Sequence, residues 1–227
     1  MALVDLKREG EIFILTMNGG ENRFNRPFIE AMNQALDTIE QSRGPAALVT
    51  IGGEEKFYSN GLDLNWLMGD GQGERQEFIK SVLNFLGRVM GFSVPTVAAI
   101  NGHAFAAGAM LALAHDFRVM RADRGFFCLP EVDINIPLAP GMTTLIKSRL
   151  SPRVFRDLIL SGIRVGGSQS KEWGIVDEAV PAEQVLSRAI AQASALADKD
   201  RQIYQTLKRS MYHEALTLLE TGAMDFT

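Results

Sequence analysis

Short apolar runs alternate along this chain with segments in which apolar residues recur at helical spacing. The strand-like runs are Ile12–Met17, 46–51, Thr96–Ile100 and 117–120. Helices are predicted over Arg26–Gln41, 71–90, 106–114, 143–150 and 153–161. Because strands that alternate with helices usually pair in parallel, the pattern predicts a fold of the α/β class.

The end of the chain follows a different pattern. Helices are predicted over 185–199 and 201–219, and no strand-like run follows Pro181. We therefore expect two regions, an α/β core over residues 1–184 and a C-terminal helical region over residues 185–227.

Composition excludes several classes of protein. The 227 residues carry a net charge of −4, which offers no basic surface to nucleic acid. No run of about 18 apolar residues occurs, so no membrane-spanning segment is expected. The single cysteine, Cys128, allows neither an intrachain disulfide nor a cluster of thiolate metal ligands. Since Met1 to Gly10 lacks a signal-peptide core and 225–227 is not a peroxisomal tripeptide, we expect a cytoplasmic protein, or a peroxisomal one only if a C-terminal signal lies beyond this sequence.

A glycine between small polar residues follows the second predicted strand, in Ser59-Asn60-Gly61-Leu62-Asp63. A turn of this kind can leave backbone N–H groups unpaired and directed outwards. An ordinary strand-to-helix turn has the same composition and is the more common interpretation for the segment alone. Asp63 is expected to be structural, as a cap of the following helix.

Small residues cluster where the third predicted strand ends and a helix begins, in Ala104-Phe105-Ala106-Ala107-Gly108-Ala109. Small side chains let a ligand approach the backbone. The first N–H groups of a helix have no partner within it and lie at its positive end, where they can stabilise a developing oxyanion. Tight packing of a helix on a sheet explains the same residues equally well. His103 is expected to be a satisfied turn residue rather than a base.

Two carboxylates, Glu131 and Asp133, lie in an otherwise apolar stretch. If the stretch were a strand, alternation would put both on the same side. A carboxylate in an apolar pocket has a raised pKa, which suits a general base near neutral pH. A surface loop with two solvated acids is the alternative, and composition alone favours it.

Taken in order and spacing, these three segments resemble those of the crotonase (enoyl-CoA hydratase/isomerase) superfamily. The most specific pieces are 59–64, 99–108, 116–120, 130–132 and 174–180, and the resemblance runs from about Val4 to about Tyr212. It implies the fold of that superfamily, a spiral of repeated ββα units followed by a C-terminal helical region used in trimerisation. The expected partners are therefore further copies of this chain, in a homotrimer or a dimer of trimers.

The resemblance also implies an acyl-CoA thioester as substrate, with no metal and no separate cofactor because coenzyme A is part of the substrate. Two backbone N–H groups form the oxyanion hole in that superfamily, and by motif position they fall on Leu62 and Ala107. The substrate-binding residues that the resemblance implies are Arg26, Gly61, Asp63, Gly108 and Met110.

The acidic positions discriminate between the activities of the superfamily. Its hydratases usually carry two glutamates, and one of these positions is Met110 here, which cannot exchange a proton, whereas the other is Glu131. A single glutamate at the second position resembles the Δ3,Δ2-enoyl-CoA isomerase branch. We therefore predict an enzyme of fatty acid β-oxidation that moves a 3-enoyl-CoA double bond to the trans-2 position, with Glu131 as proton shuttle. The alternatives are an enoyl-CoA hydratase and a non-catalytic acyl-CoA-binding protein.

Overall fold

The computed structural model describes residues 2–224. Its strands are β1 (Val4–Glu9), β2 (Ile12–Met17), β3 (Ala47–Gly52), β4 (Phe57–Ser59), β5 (Thr96–Ile100), β6 (His103–Phe105), β7 (Phe117–Arg121), β8 (Phe126–Cys128), β9 (Val165–Gly166) and β10 (Glu178–Val180). Its helices are α1 (Arg26–Gln41), α2 (Leu64–Met68), α3 (Arg75–Met90), α4 (Ala107–Ala114), α5 (Pro140–Arg149), α6 (Pro152–Ser161), α7 (Gly167–Glu172), α8 (Val185–Ser194), α9 (Arg201–Met211) and α10 (His213–Thr221), with short 3₁₀ turns at Gln72–Glu74 and Ala182–Gln184.

The strands form two sheets. The larger sheet has the order β1-β2-β3-β5-β7-β10, and all of its pairs are parallel except β1 with β2. The smaller sheet has the order β4-β6-β8-β9, in which only the β8–β9 pair is antiparallel. The predicted α/β class with parallel pairing is confirmed.

Each turn of the chain adds one strand to each sheet and then a helix. The units are β3 and β4 followed by α3, then β5 and β6 followed by α4, then β7 and β8 followed by α5. The predicted spiral of ββα units with C-terminal helices is therefore confirmed. The sequence shows no fixed-period repeat because each unit needs only the same pattern of apolar and small residues, and its helices differ in length.

The larger sheet is buried on both faces, as parallel sheets generally are. Side chains alternate along β2, so Phe13, Leu15 and Met17 face the main core, while Ile12 and Ile14 face the other side. The main core lies against α1, α3, α4 and α10. On the opposite face, α8 covers the sheet through Val185, Ala189 and Ala193.

Several elements differ from the sequence predictions. The single helix predicted over 201–219 is two helices, α9 and α10, which meet at Tyr212, whose φ of −113° is not helical. The helix predicted over 185–199 ends at Ser194. Strand β1 was not predicted, because at an edge of the sheet its residues include the exposed charges Lys7, Arg8 and Glu9.

The C-terminal helices pack onto the rest of the chain. Lys208 of α9 forms a buried ion pair with Asp116 at 2.9 Å, and α10 packs on α3 and α5. The expected boundary between residues 184 and 185 stays a prediction. No helix in residues 2–224 has the length and hydropathy needed to cross a membrane. The tripeptide 225–227, on which part of the localisation prediction depends, lies outside the described residues.

Candidate active site

A tight turn after β4 carries Leu62 between two bonded neighbours. Gly61 has a φ of +76°, a conformation that favours glycine. The Phe24 N–H donates to the Gly61 carbonyl at 2.7 Å, and the Asp63 N–H donates to the Phe24 carbonyl at 2.9 Å. Between them, the Leu62 N–H has no hydrogen-bond partner among residues 2–224. The turn therefore presents one free backbone donor.

The start of α4 supplies further free donors. Ala106, just before the helix, has φ +50° and ψ −126°, a conformation that costs a residue with a Cβ about 1–3 kcal/mol. It is held there because its N–H donates to the Cys128 carbonyl and its carbonyl accepts from the Met110 N–H, both at 3.0 Å. The N–H groups of Ala107 and Gly108 have no partner in the part of the chain that the structure describes.

The two turns lie against each other. A Cβ added to Gly61 would lie 2.9 Å from the Ala107 nitrogen, and a Cβ added to Gly108 would lie 2.4 Å from the Ser59 carbonyl oxygen. Neither position has room for a side chain, so both glycines are required by close backbone approach. The two segments that were singled out in the sequence are therefore neighbours in the fold, with the free donors of Leu62 and Ala107 on adjoining turns.

Glu131 lies in a turn that begins close to Ala106. Strand β8 ends at Cys128, which is bonded to Ala106, and three residues of chain then reach no more than about 10 Å. The Glu131 side chain is buried, and its Oε2 has no hydrogen-bond partner among residues 2–224. Burial raises the pKa of this carboxyl to about 7, against a smaller opposing effect of a hydrogen bond from its own backbone N–H. A carboxyl in this state gains and loses a proton readily near neutral pH.

Asp133 does not share the side of Glu131, because the condition for that arrangement, a strand over this segment, is not met. Residues 131–135 form a turn rather than a strand, and Asp133 is exposed beside Gly162 while Glu131 is buried. Of the two interpretations of this segment, the solvated loop therefore holds for Asp133 and the apolar pocket for Glu131.

The remaining polar residues near these turns have structural partners. Asp63 caps α2, since its Oδ1 accepts from the Trp66 N–H at 3.2 Å, which confirms the cap predicted for it. His103 accepts at Nδ1 from the Phe126 N–H at 3.2 Å. Burial, together with the nearby Lys56, lowers the pKa of His103. His103 thus has a satisfied structural role, as predicted, but it is the first residue of β6 rather than a turn residue.

Comparison with known proteins identifies the family. Residues 7–225 match the model of the enoyl-CoA hydratase/isomerase family. The chain belongs to this family. Enoyl-CoA delta isomerase 3 of Arabidopsis thaliana is 33% identical over 227 residues, which cover 96% of this chain and 95% of that protein. Carnitinyl-CoA dehydratase of Escherichia coli K12 is 29% identical, over 96% of this chain and 86% of that protein.

Solved structures of the enoyl-CoA hydratase/isomerase family have the same fold. The apo enoyl-CoA isomerase of Mycobacterium tuberculosis superposes with a TM-score of 0.88 at 25% identity, covering 97% of this chain and 96% of that one. An enoyl-CoA hydratase of Mycobacterium ulcerans gives 0.89 at 26% identity with the same coverage. The predicted membership of the crotonase superfamily, nearest to its isomerase branch, is confirmed.

Met110 is the residue to which the sequence resemblance assigns the second acidic position of the hydratases. It is buried in the second turn of α4, within the main core. All residues of α4 are apolar, so this helix offers no proton donor or acceptor beside the free N–H groups at its start. Whether Met110 touches substrate, as the resemblance implies, stays a prediction.

Arg26 has a partner in the fold. At the start of α1, its Nη2 donates to Glu74 at 2.5 Å, so a phosphate there would have to compete with that carboxylate. A cavity of about 210 Å³ lies nearby, lined by Leu3, Gly19, Glu21, Arg23, Asn25, Phe28 and Asp63. Arg23 rather than Arg26 contributes the basic group to it. The substrate contact of Arg26 stays a prediction.

Sequence reasoning missed two groups near these turns. Asn22 is fully buried and donates to the Tyr58 carbonyl at 2.9 Å. This bond holds the backbone that leads into the Gly61 turn. A chain of buried side chains also joins Tyr58 to His115. No local pattern marks either, because the partners are far apart in sequence. In residues 2–224 no group of three or more His, Cys, Asp or Glu could hold a metal ion, and the metal-free site stays a prediction.

Proposed function

We propose that this protein is a Δ3,Δ2-enoyl-CoA isomerase, which moves the double bond of a 3-enoyl-CoA thioester to the trans-2 position in fatty acid β-oxidation. The observation that carries the proposal is Glu131. Its side chain is buried and one of its oxygens lacks any partner among residues 2–224, whereas the similarly buried Asp116 is paired with Lys208. Burying such a group costs free energy, and a role in catalysis would account for that cost.

In the proposed reaction Glu131 acts first as base and then as acid. Its carboxylate removes a proton from C2, beside the thioester carbonyl, and the electrons delocalise over the carbonyl oxygen, C2 and C4. The protonated carboxyl then delivers the proton to C4, which leaves the double bond between C2 and C3. A pKa near 7 lets one group perform both steps with little energetic bias.

The N–H groups of Leu62 and Ala107 would bind the thioester oxygen as its charge grows. Their support is that both are unpaired within the described residues and lie on adjoining turns. Removing one such donor typically lowers the rate by about 10²–10³. Gly61 and Gly108 would let the thioester approach this backbone, and Asp63, Met110 and Arg26 are the remaining proposed contacts.

Conversion of 3-hexenoyl-CoA to the conjugated 2-enoyl product tests the proposal. We expect isomerisation by the wild type and a loss of at least about a hundredfold in Glu131→Gln, with KM little changed. Asp133→Asn, which neutralises an exposed carboxylate two residues away, is the matched control and should keep the wild-type rate. A Glu131→Gln variant as fast as this control would contradict the assignment.

The second candidate function is hydration of 2-enoyl-CoA. The names of the relatives include hydratases and a dehydratase as well as isomerases, so the chemistry of the family covers both. Hydration needs a second group to orient water, and Met110 stands where the second acid would be. Loss of the conjugated absorbance of 2-hexenoyl-CoA at a rate above that of 3-hexenoyl-CoA isomerisation would favour the hydratase. Binding of both thioesters without turnover would favour a non-catalytic acyl-CoA-binding protein.

We further propose a cytoplasmic homotrimer or dimer of trimers that uses no cofactor apart from the coenzyme A of its substrate. Support for self-association comes from α9, where Ile203, Leu207 and Met211 recur at every fourth residue and each exposes more than half of its surface. These residues are defined here as the α9 stripe.

A further inference from the structure

Three fully or almost fully buried polar side chains form a chain of hydrogen bonds that joins β4 to the C-terminal end of α4. The Tyr58 hydroxyl lies 2.8 Å from Thr50 Oγ1, which lies 2.9 Å from His115 Nε2. The other ring nitrogen, Nδ1, lies 2.8 Å from the Leu111 carbonyl oxygen. The three residues expose at most 2% of their surface, and the proposed reaction uses none of them.

The chemistry of the partners fixes the direction of every bond. The Leu111 carbonyl can only accept, so His115 Nδ1 carries a hydrogen and donates to it. Burial lowers the pKa of His115 to about 4, so the ring is neutral and its Nε2 accepts from Thr50. Thr50 has then used its only hydrogen and accepts from Tyr58, whose pKa burial raises, so that it stays protonated. The chain therefore runs from Tyr58 through Thr50 to His115 and Leu111 with no alternative arrangement.

Each end of this chain of hydrogen bonds lies in, or caps, an element that leads to a proposed oxyanion donor. Tyr58 is in β4, four residues before Leu62. His115 is the C-cap of α4, the helix that Ala107 begins. The His115 N–H bonds to Ala112 rather than Leu111, so the side chain of His115 completes the end of the helix. At its other end, α4 packs through Gly108 on Ser59. Helix α4 is thus held against β4 at both ends.

We propose that Tyr58, Thr50 and His115 are positioning residues that set the spacing between the Leu62 and Ala107 N–H groups. Helix α4 also packs on α3 and α5, and the chain adds a directed link to β4 at the end opposite the Gly108–Ser59 contact. This link would limit small rotations of α4 about that contact, which would carry the Ala107 N–H away from the thioester oxygen. Because displacements of about 1 Å can cost about a hundredfold in rate, a small pivot is enough to matter. This inference rests on the proposed function, since it assumes that both N–H groups bind the thioester oxygen.

Two substitutions at Thr50 separate positioning from stability. Thr50→Ser keeps the oxygen and loses a methyl group, whereas Thr50→Val keeps the volume and breaks the chain at both bonds. We expect kcat to fall about tenfold in Thr50→Val, with KM within about twofold, and to stay within about twofold in Thr50→Ser. Thr96→Val is the control elsewhere, because Thr96 is equally buried on β5 and its hydroxyl bonds Asp116.

The readout specific to the hole is the carbonyl stretching frequency of bound butyryl-CoA labelled with ¹³C at the thioester carbon. Relative to free butyryl-CoA, wild type, Thr50→Ser and Thr96→Val should lower the carbonyl frequency equally. Thr50→Val should lower it less. Tyr58→Phe keeps the bond between Thr50 and His115, so it should lose a smaller part of the frequency shift than Thr50→Val. If Thr50→Val does not fold, Tyr58→Phe is the variant that tests the inference.

Two contrary results are distinguishable. A wild-type protein that binds butyryl-CoA without lowering the carbonyl frequency would overturn the oxyanion hole itself and the inference with it. A wild-type shift that persists in full in Thr50→Val and Tyr58→Phe, together with unchanged kcat, would overturn the inference and leave the proposed function intact.

Discussion

At the scale of single residues, Glu131 shows how burial prepares a side chain for chemistry. Its pKa of about 7, against an ordinary value of 4.5, results from desolvation, and Oε2 finds no donor in the described part of the chain. As a base it must be ionised. We predict that kcat/KM rises with pH through about 7 and is level above it. A profile that is flat between pH 5 and 8 would contradict Glu131 as the base.

The same pKa predicts a pH dependence of stability with the opposite sign. The folded state binds the Glu131 proton more tightly than the unfolded state, so the associated stability is complete below pH 4.5 and is lost as pH rises through about 7. Glu131→Gln, which is neutral throughout, should lose this slope and exceed the wild type in free energy of unfolding at pH 8 by a few kcal/mol. Urea unfolding at pH 5 and pH 8 measures it. Parallel curves for the two proteins would contradict the raised pKa.

Ala106 carries backbone strain at the start of α4. Its φ of +50° is easily adopted by glycine, so Ala106→Gly should raise the free energy of unfolding by about 1 kcal/mol, net of the flexibility that glycine adds to the unfolded chain. Ala109→Gly, in the regular part of the same helix, is the control and should lower it by about 1 kcal/mol. Urea unfolding compares them, and equal losses in both variants would mean that Ala106 is unstrained.

At the scale of elements, sequence periodicity worked where an element is long and begins with its own cap. Helix α1 was predicted at its observed bounds from the helical spacing of its apolar residues alone, and the structure adds that Asn25 caps it, accepting from the Phe28 N–H at 3.0 Å. Strands β4, β6 and β8 were missed because three residues are too few to show a period. The turn at Glu131 was open between strand and loop, since its side chains are placed by contacts distant in sequence.

The candidate site could be predicted only in part, because local sequence patterns mark some of its residues and contacts distant in sequence place the others. Gly61 and Gly108 were visible as small residues next to predicted strands, and the fold shows that close backbone approach requires them. The chain from Tyr58 to His115 was invisible, because its residues are joined only when β3, β4 and α4 pack together. Resemblance to a family supplied the roles of Leu62, Ala107 and Glu131, which spacing alone left undecided.

The buried ion pair between Lys208 and Asp116 holds α9 to the core. The two side chains expose only 6% and 9% of their surfaces. Lys208→Met removes the charge at nearly constant volume and leaves Asp116 without it, so the free energy of unfolding should fall by about 3–5 kcal/mol. Lys199→Met breaks an exposed pair with Asp198 and should change it by less than about 1 kcal/mol. Chemical unfolding distinguishes them, and equal effects would contradict an anchoring role.

At the scale of the whole molecule, the C-terminal helices have an inner face that packs on the core and an outer face that is open to solvent. Their inner faces pack on the core, where the Tyr204 hydroxyl donates to Asp116 at 3.1 Å and the Leu219 side chain is fully buried. Their outer surface includes the α9 stripe, which is apolar and open to solvent in a single copy. Exposed apolar patches of this kind usually mark sites at which another protein molecule binds.

Self-association through the α9 stripe gives a prediction in solution. Light scattering should give the wild type a mass of three or six times the 25.0 kDa chain, and Leu207→Glu should give a single chain because a carboxylate would be buried at the interface. Thr38→Glu, at an exposed position on α1, should leave the mass unchanged. A Leu207→Glu protein with the wild-type mass would place the interface elsewhere.

The most direct test of a single carboxyl shuttle follows the proton itself. The substrate is 3-hexenoyl-CoA carrying two deuterons at C2, and the mass of the product is measured in ordinary water during the first turnovers. Because the Glu131 carboxyl is shielded from water, it should return to C4 much of the deuterium that it removes from C2, so that a large share of the product keeps both labels. A product that keeps only one deuteron in every molecule would contradict direct transfer from C2 to C4 by a carboxyl shielded from water.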